Sequence, residues 1–334
     1  MLSGMAVLLL SLPLYAGRKH EDVENIGNRN VTGRIYGIFP NMISLEKEIE
    51  LGAQVAAEFE QVVRLVEDPV VTEYVDRIGQ NIVKHSDAKV PFHIKVVDTD
   101  EVNASAFPGG YFYVNKGLIL AAGNEAELAG VMAHEISHVA ARHATERLSK
   151  QQILSFAALP ALFVGGYWTQ MGIQNALGLG LNLEVMGITR ESEREADQLG
   201  IQYLWNTGYD PSAFLTFFEK MQQEEKSKPG KLAGWFRTHP STDDRILASL
   251  EEQRYLPEKD NYIVDTSEFE QVKARLQAID NAQKSEEGVK SQRRPTLKRR
   301  TSDGGEQEPG DTGDSGDTNE RKRPTLKRPT DPNP

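Results

Sequence analysis

Two histidines four residues apart, with a glutamate directly after the first, stand at His134-Glu135-Ile136-Ser137-His138. On a helix, positions i and i+4 share a face with about 5–6 Å between their Cβ atoms. Both imidazoles can then grip one metal ion while Glu135 sits beside it, the pattern of a zinc hydrolase. Neutral imidazole suits Zn²⁺, and three protein ligands leave a fourth position for water, whose pKa the metal lowers to about 7. Glu135 is placed to take the water proton and hand it to a leaving amine. The competing reading is a coincidence on a surface helix. Against it, the chain has only 7 His, and the flanks look like a packed helix. Asn124 and Glu127 form a capping-box pattern, Gly130, Ala133 and Ala141 leave room for close neighbours, and apolar periodicity runs over about residues 125–148.

A third ligand comes from residues 189–197, Thr-Arg-Glu-Ser-Glu-Arg-Glu-Ala-Asp, which predict a helix with acidic residues in its first turn. Ala196, Gly200, Tyr203 and Leu204 set the inward face, and Glu193 shares it. A charge on a buried face needs a partner. A metal held by His134 and His138 supplies one, giving a His₂Glu set. Asp197, one turn on, faces the same region and can accept the free N–H of a liganding histidine or deliver a proton. Glu191 and Glu195 are competing ligands that lie farther round the helix. His239, in Arg237-Thr-His239-Pro240, is the candidate fourth ligand for the open position; its other reading is a loop histidine that holds a local turn.

The elements that must position these groups can be read in outline. Leu45, Ile49, Gly52, Ala53, Ala56 and Phe59 fall on one helical face. Asp68-Pro69 starts a second helix with Val71, Tyr74, Val75, Ile78 and Ile82 inward. Phe92, Ile94 and Val96 alternate with His93 and Lys95, which predicts a strand with His93 on its surface. Pro108-Gly109-Gly110 is a turn, and the aromatic residues 111–114 a strand whose Pro and Gly neighbours suit a sheet edge. A peptide could add there as another strand. Asp210-Pro211 opens a helix whose Phe214, Leu215, Phe217, Phe218 and Met221 are core. A last helix is expected over residues 269–279. The fold class is α+β, mainly α, with a small edge β-sheet.

The ends are of different material. Residues 5–15 are apolar and followed by Ala16-Gly17-Arg18-Lys19, too short for a membrane span of about 20 residues but the length of a signal-peptide core, so export is expected; a buried core helix is the alternative. Residues 151–183 carry no charge, and the apolar part, 153–168, is broken by Pro160, Gly165 and Gly166, so this segment is expected to be a lid or plug that can touch a membrane. From about residue 283 Ser, Thr, Gly, Pro and charge dominate, which predicts a disordered tail. In it Arg-Pro-Thr-Leu-Lys-Arg occurs twice, at 294–299 and 323–328. The expected division is a signal-like segment (1–17), a lead-in (18–42), a catalytic domain (43–280, with 151–188 the lid) and a tail (281–334). The net charge of −11 gives no support for nucleic-acid binding, and the absence of Cys excludes a disulfide framework.

These stretches together resemble zinc metallopeptidases of the HtpX, CAAX prenyl protease and BepA-like family (metallopeptidase family forty-eight, gluzincins) over residues 43–250. The marks are Ala104-Ser-Ala-Phe-Pro-Gly-Gly-Tyr-Phe-Tyr-Val114, His134-Glu-Ile-Ser-His-Val-Ala-Ala-Arg-His143, Glu193-Arg-Glu-Ala-Asp-Gln-Leu-Gly200 and Thr238-His-Pro240. The resemblance implies a zincin-like domain with one Zn²⁺ per chain, ligands His134, His138 and Glu193, and Glu135 as base. Asp197 matches the family's aspartate, often proposed as proton donor, and His239 a histidine that in BepA-type enzymes can block the zinc. The residues after 280 lack the periodicity of the tetratricopeptide repeats that BepA-type enzymes carry. The function so implied is a zinc endopeptidase, exported to the periplasm with peripheral membrane contact and acting on unfolded or misassembled envelope proteins. The alternatives are a latent or chaperone-like holder of such proteins and an integral-membrane protease.

Overall fold

Helix starts follow local side-chain chemistry. Ser44 caps α1 (Leu45–Val62) by accepting from the Lys47 N–H, and Asp68 caps α2 (Pro69–Lys84) by accepting from Val71. Short α3 (Lys116–Ala121) leads to α4 (Glu125–Ala140), where Asn124 accepts from the Glu127 N–H and Glu127 reaches back to the Gly123 N–H. Thr189 caps α5 (Arg190–Thr207), which ends on left-handed Gly208. Helices α6 (Ser212–Ser227), α7 (Asp243–Tyr255) and α8 (Ser267–Gln292) follow. The computed structural model describes residues 23–32, 41–150, 189–227, 232, 235, 236, 239 and 243–292, with side chains to 285. The signal-like segment, the 151–188 lid and both tail hexapeptides lie outside the described residues.

Three strands, β1 (His93–Val97), β2 (Ala104–Phe107) and β3 (Tyr111–Asn115), form a sheet of order β1-β3-β2. β3 runs parallel to β1 and antiparallel to β2, with Phe107 opposite Tyr111 across the Pro108–Gly110 turn. The expectation that residues 111–114 form a sheet edge is therefore corrected: β3 is central, and the edge beside α4 is β2. The physical reason is backbone pairing on both sides: the Pro108–Gly110 turn returns β3 beside β2, and its other backbone edge is taken by β1 over the whole length from His93↔Tyr111 to Val97↔Asn115. Phe112 and Val114 join the main core with α2, α4 and α5, while Tyr113 packs with Phe107, Val55 and Ala56 under α1.

Helix α4 is the axis of the domain, with all 16 of its residues buried, as expected for a helix walled in on every side. The apolar period running to residue 148 suggested a continuous helix, but α4 stops at Ala140. Arg142 takes a left-handed φ of 60°, and helix resumes at residue 143. That conformation costs a residue with a Cβ about 1–2 kcal/mol. It is held by Arg142 Nε donating to Oε2 of the buried Glu48 at 2.5 Å and Nη2 donating to the Ile43 carbonyl at 2.6 Å. At the other end of the chain α8 runs to Gln292, past the residue where composition turns polar. Its docking rests on Lys116, which donates to Asp280 at 2.6 Å and Asp98 at 2.8 Å, and on Lys284, which lies 3.0 Å from Asp100. Among the described residues no helix is long and apolar enough to cross a membrane.

Helix α1 presses on the β2–β3 turn through Gly52. A Cβ there would lie 1.8 Å from the Pro108 carbonyl oxygen. Gly52→Ala is expected to lower unfolding stability by about 1–3 kcal/mol through overpacking, measured by urea denaturation.

Candidate metal centre

Helices α4 and α5 cross at Gly200, where a Cβ would lie 3.2 Å from the His134 backbone. This close approach sets the carboxylate of one helix against the imidazoles of the other. His134 Nε2 and His138 Nε2 are 3.1 Å apart, and Glu193 oxygens lie 3.7 Å from the first and 3.4 Å from the second. Ligands around a tetrahedral zinc with bonds of about 2.0–2.1 Å are separated by about 3.3–3.4 Å. The three donors therefore have the spacing of one coordination sphere, and all are buried.

The outer atoms of the rings fix which nitrogen carries the proton. His134 Nδ1 lies 3.0 Å from Asp197 Oδ1, so its N–H belongs on Nδ1. His138 Nδ1 lies 2.9 Å from His143 Nδ1, and His143 Nε2 lies 3.3 Å from Glu195 Oε2. With Glu195 accepting from Nε2–H of His143, the free Nδ1 of that ring accepts from Nδ1–H of His138. Burial lowers the His143 pKa and keeps the ring neutral. Both Nε2 lone pairs of His134 and His138 are then turned on each other beside a carboxylate. Such an arrangement suits a cation held between them.

Asp197 is clamped by Arg245, whose Nε and Nη2 each donate at 2.7 Å, and Arg245 Nη1 lies 2.6 Å from Glu193 Oε2. Burial raises the pKa of both carboxyls, but Arg245 on Asp197, and the histidines on Glu193, more than offset it, so both are held below the usual carboxylate range. Arg245 was not among the residues singled out from sequence. Three residues past a Pro-Ser-Thr stretch, an arginine at a helix start carries no signal that it turns inward.

His239 stands on the open side of the same group. Its Nδ1 is 3.3 Å from His134 Nε2 and 3.1 Å from Glu193 Oε1, and its Nε2 is 3.1 Å from Glu135 Oε1. His134, His138, Glu193 and His239 offer donor atoms all within 4.8 Å of one another. The ring stacks on Trp235 at 4.6 Å. Burial opposes its charged form, yet Glu135 and Glu193 outweigh this and push its pKa up to about 10. Glu135 in turn is held below its usual pKa by His239 against the effect of burial. Of the competing acids, Glu195 is engaged with His143 and Glu191 is exposed.

A cleft opens beside Glu135 and His138, with Ala106, Phe107, Pro108 and Val139 among its walls. Its rim is thus the edge strand β2 and the turn after it.

Comparison with known proteins agrees with this geometry. The chain is 33% identical over 213 residues to the beta-barrel assembly-enhancing protease of Escherichia coli (strain K12), covering 61% of this chain and 43% of that protein. It is 36% identical over 203 residues to the putative beta-barrel assembly-enhancing protease of Vibrio cholerae, 58% of this chain and 41% of the relative. It is 31% identical over 191 residues to the mitochondrial metalloendopeptidase OMA1 of Schizosaccharomyces pombe, 56% of this chain and 53% of the relative. The matched region spans less than half the length of the bacterial relatives. The profile of Peptidase family M48 matches residues 69–253, more than half of the chain and all of the His134, His138 and Glu193 set, and the chain belongs to that family.

Proposed function

We propose that the chain is a zinc-dependent endopeptidase acting on unfolded or misassembled cell-envelope proteins after export to the periplasm. The observation that carries the peptidase reading is the convergence of His134, His138 and Glu193 donors with Glu135 alongside, opening on a cleft edged by a strand. A purely structural metal site has no use for a carboxylate base next to the ion. The envelope setting is supported by the names of the bacterial relatives and by the signal-like residues 5–15.

His134, His138 and Glu193 would hold the zinc, which when bound supplies a Lewis acid and water made acidic enough to ionise near neutral pH. The outer edge of β2 lines up the substrate backbone as an added strand, and the cleft beside Val139 receives a side chain. Glu135 takes the proton of the attacking water and delivers it to the leaving amine nitrogen. Asp197 holds His134 in the tautomer whose Nε2 faces the metal, and Arg245 keeps Asp197 ionised for that task; this orienting role accounts for its contacts better than proton delivery does. The uncharged 151–183 segment is assigned to access control.

A second reading, a latent or holding form, has its own observation: His239 reaches both the ligand group and Glu135. Coordinated there, it would cover the water position and occupy the base with one ring.

Wild type loaded with zinc is expected to cleave an unfolded protein, and Glu135→Gln at equal zinc content to lose about 10²–10⁴-fold in rate. Metal content is read by atomic absorption and cleavage by gel. Binding of the unfolded protein with no cleavage by either would favour the holding reading. His239→Ala is expected to cleave faster than wild type, in proportion to the fraction of chains in the covered form; unchanged or slower cleavage counts against a blocking role.

A further inference from the structure

His143 lies five residues after His138. On an unbroken helix, five steps of about 100° would turn it about 140° away round the axis, and its ring could not reach the far side of a metal ligand. It does reach: His143 Nδ1 is 2.9 Å from His138 Nδ1. The difference is the left-handed turn at Arg142, where α4 stops and the next helical stretch begins. Backbone strain of this kind persists where the surroundings over-determine it, and it gathers at functional sites. Here the surroundings are identifiable. Glu48 Oε2 and the Ile43 carbonyl hold the Arg142 guanidinium, and Thr145 Oγ1, in the following helical stretch, donates to the same Glu48 oxygen at 3.3 Å. The far nitrogen of His143 meets Glu195 on α5. Both His143 and Glu195 are buried.

We propose that His143 is the positioning residue for the metal ligand His138, swung into place by the Arg142 turn and oriented by Glu195. The two imidazole ligands are thereby supported differently. His134 sets its outer Nδ1 3.0 Å from a carboxylate, whereas His138 turns its own toward an imidazole, with the carboxylate one ring farther out. Outer partners of liganding histidines fix ring orientation and tautomer, and their loss typically weakens metal binding about 10–100-fold. The inference rests on the zinc reading above.

The test compares full-length wild type, His143→Leu, His143→Asn and Glu195→Gln in their zinc affinity, measured by competition with a chelating indicator. The melting temperature of each metal-free protein is taken in parallel. Asparagine can place Oδ1 where His143 carries Nδ1, so it restores an acceptor for His138 without the link to Glu195. The expected result is a loss of about 10–100-fold in affinity for His143→Leu, recovered for the most part in His143→Asn. The Co²⁺-substituted proteins should follow the same order: altered visible ligand-field bands in His143→Leu, and bands close to wild type in His143→Asn. Equal affinity for wild type and His143→Leu overturns the proposal. So does an equal loss in the leucine and asparagine variants, since the acceptor would then not matter. A wild-type chain that takes up no zinc overturns the metal reading itself, and this inference with it.

Discussion

The structure depends on one electrostatic demand: a carboxylate and two imidazole lone pairs are turned on each other in the buried centre of the domain. Taking such groups out of water is expensive unless an opposite charge compensates. Arg245 compensates part of it from behind by touching Glu193 and Asp197 together. The remaining demand faces forward, where His134 Nε2, His138 Nε2 and Glu193 meet. The rest of the domain can be understood as what holds these groups against their preference to separate. Gly200 lets α5 lie on the His134 backbone, the Asn124 cap fixes the start of α4, and Glu48 fixes its exit.

The sheet serves the same centre from the other side. Because β3 pairs with β1 on one side and β2 on the other, those two strands are the edges, and the edge nearer α4 is β2. The turn joining β2 to β3 is pinned twice, by α1 packing on it through Gly52 and by the Gly109 N–H donating to Glu48 Oε1 at 3.4 Å. Glu48 therefore touches the substrate-side turn and the end of the metal-binding helix at once. One buried carboxylate ties the strand that would hold a peptide to the helix that would cut it.

Much of this was legible in the sequence, and the exceptions have physical causes. His134, Glu135, His138 and Glu193 could be placed because helical spacing converts residue type directly into proximity. The inward faces of α2, α5 and α6 followed the apolar period. Missed were features set by long-range packing. Ala104–Phe107 is a strand with three small residues in four, and nothing in its composition distinguishes it from a loop. The Pro-Gly-Gly turn suggested an edge for β3 because local chemistry cannot register that β1 pairs along its other backbone edge. The break at Arg142 carries no glycine, since its conformation is imposed by Glu48, a residue 94 positions earlier. On α1 the apolar face read from Leu45 and Ile49 hid Glu48, which is more deeply buried than either. With the break unseen, His143 would have appeared on the wrong side of the helix.

The unequal support of the two histidine ligands has a mechanical consequence. The His134 side is braced by a charged clamp between two long helices, and its ring lies flat against Phe214 at 5.5 Å. The His138 side is braced through a single neutral ring attached to a strained turn, and it borders the cleft. The centre is thus stiff toward the core and compliant toward the solvent opening. Distortion of the ligand cage, whether by an arriving chain or by a competing chelator, would begin at His138 and leave His134 and Glu193 as the part that remembers the geometry.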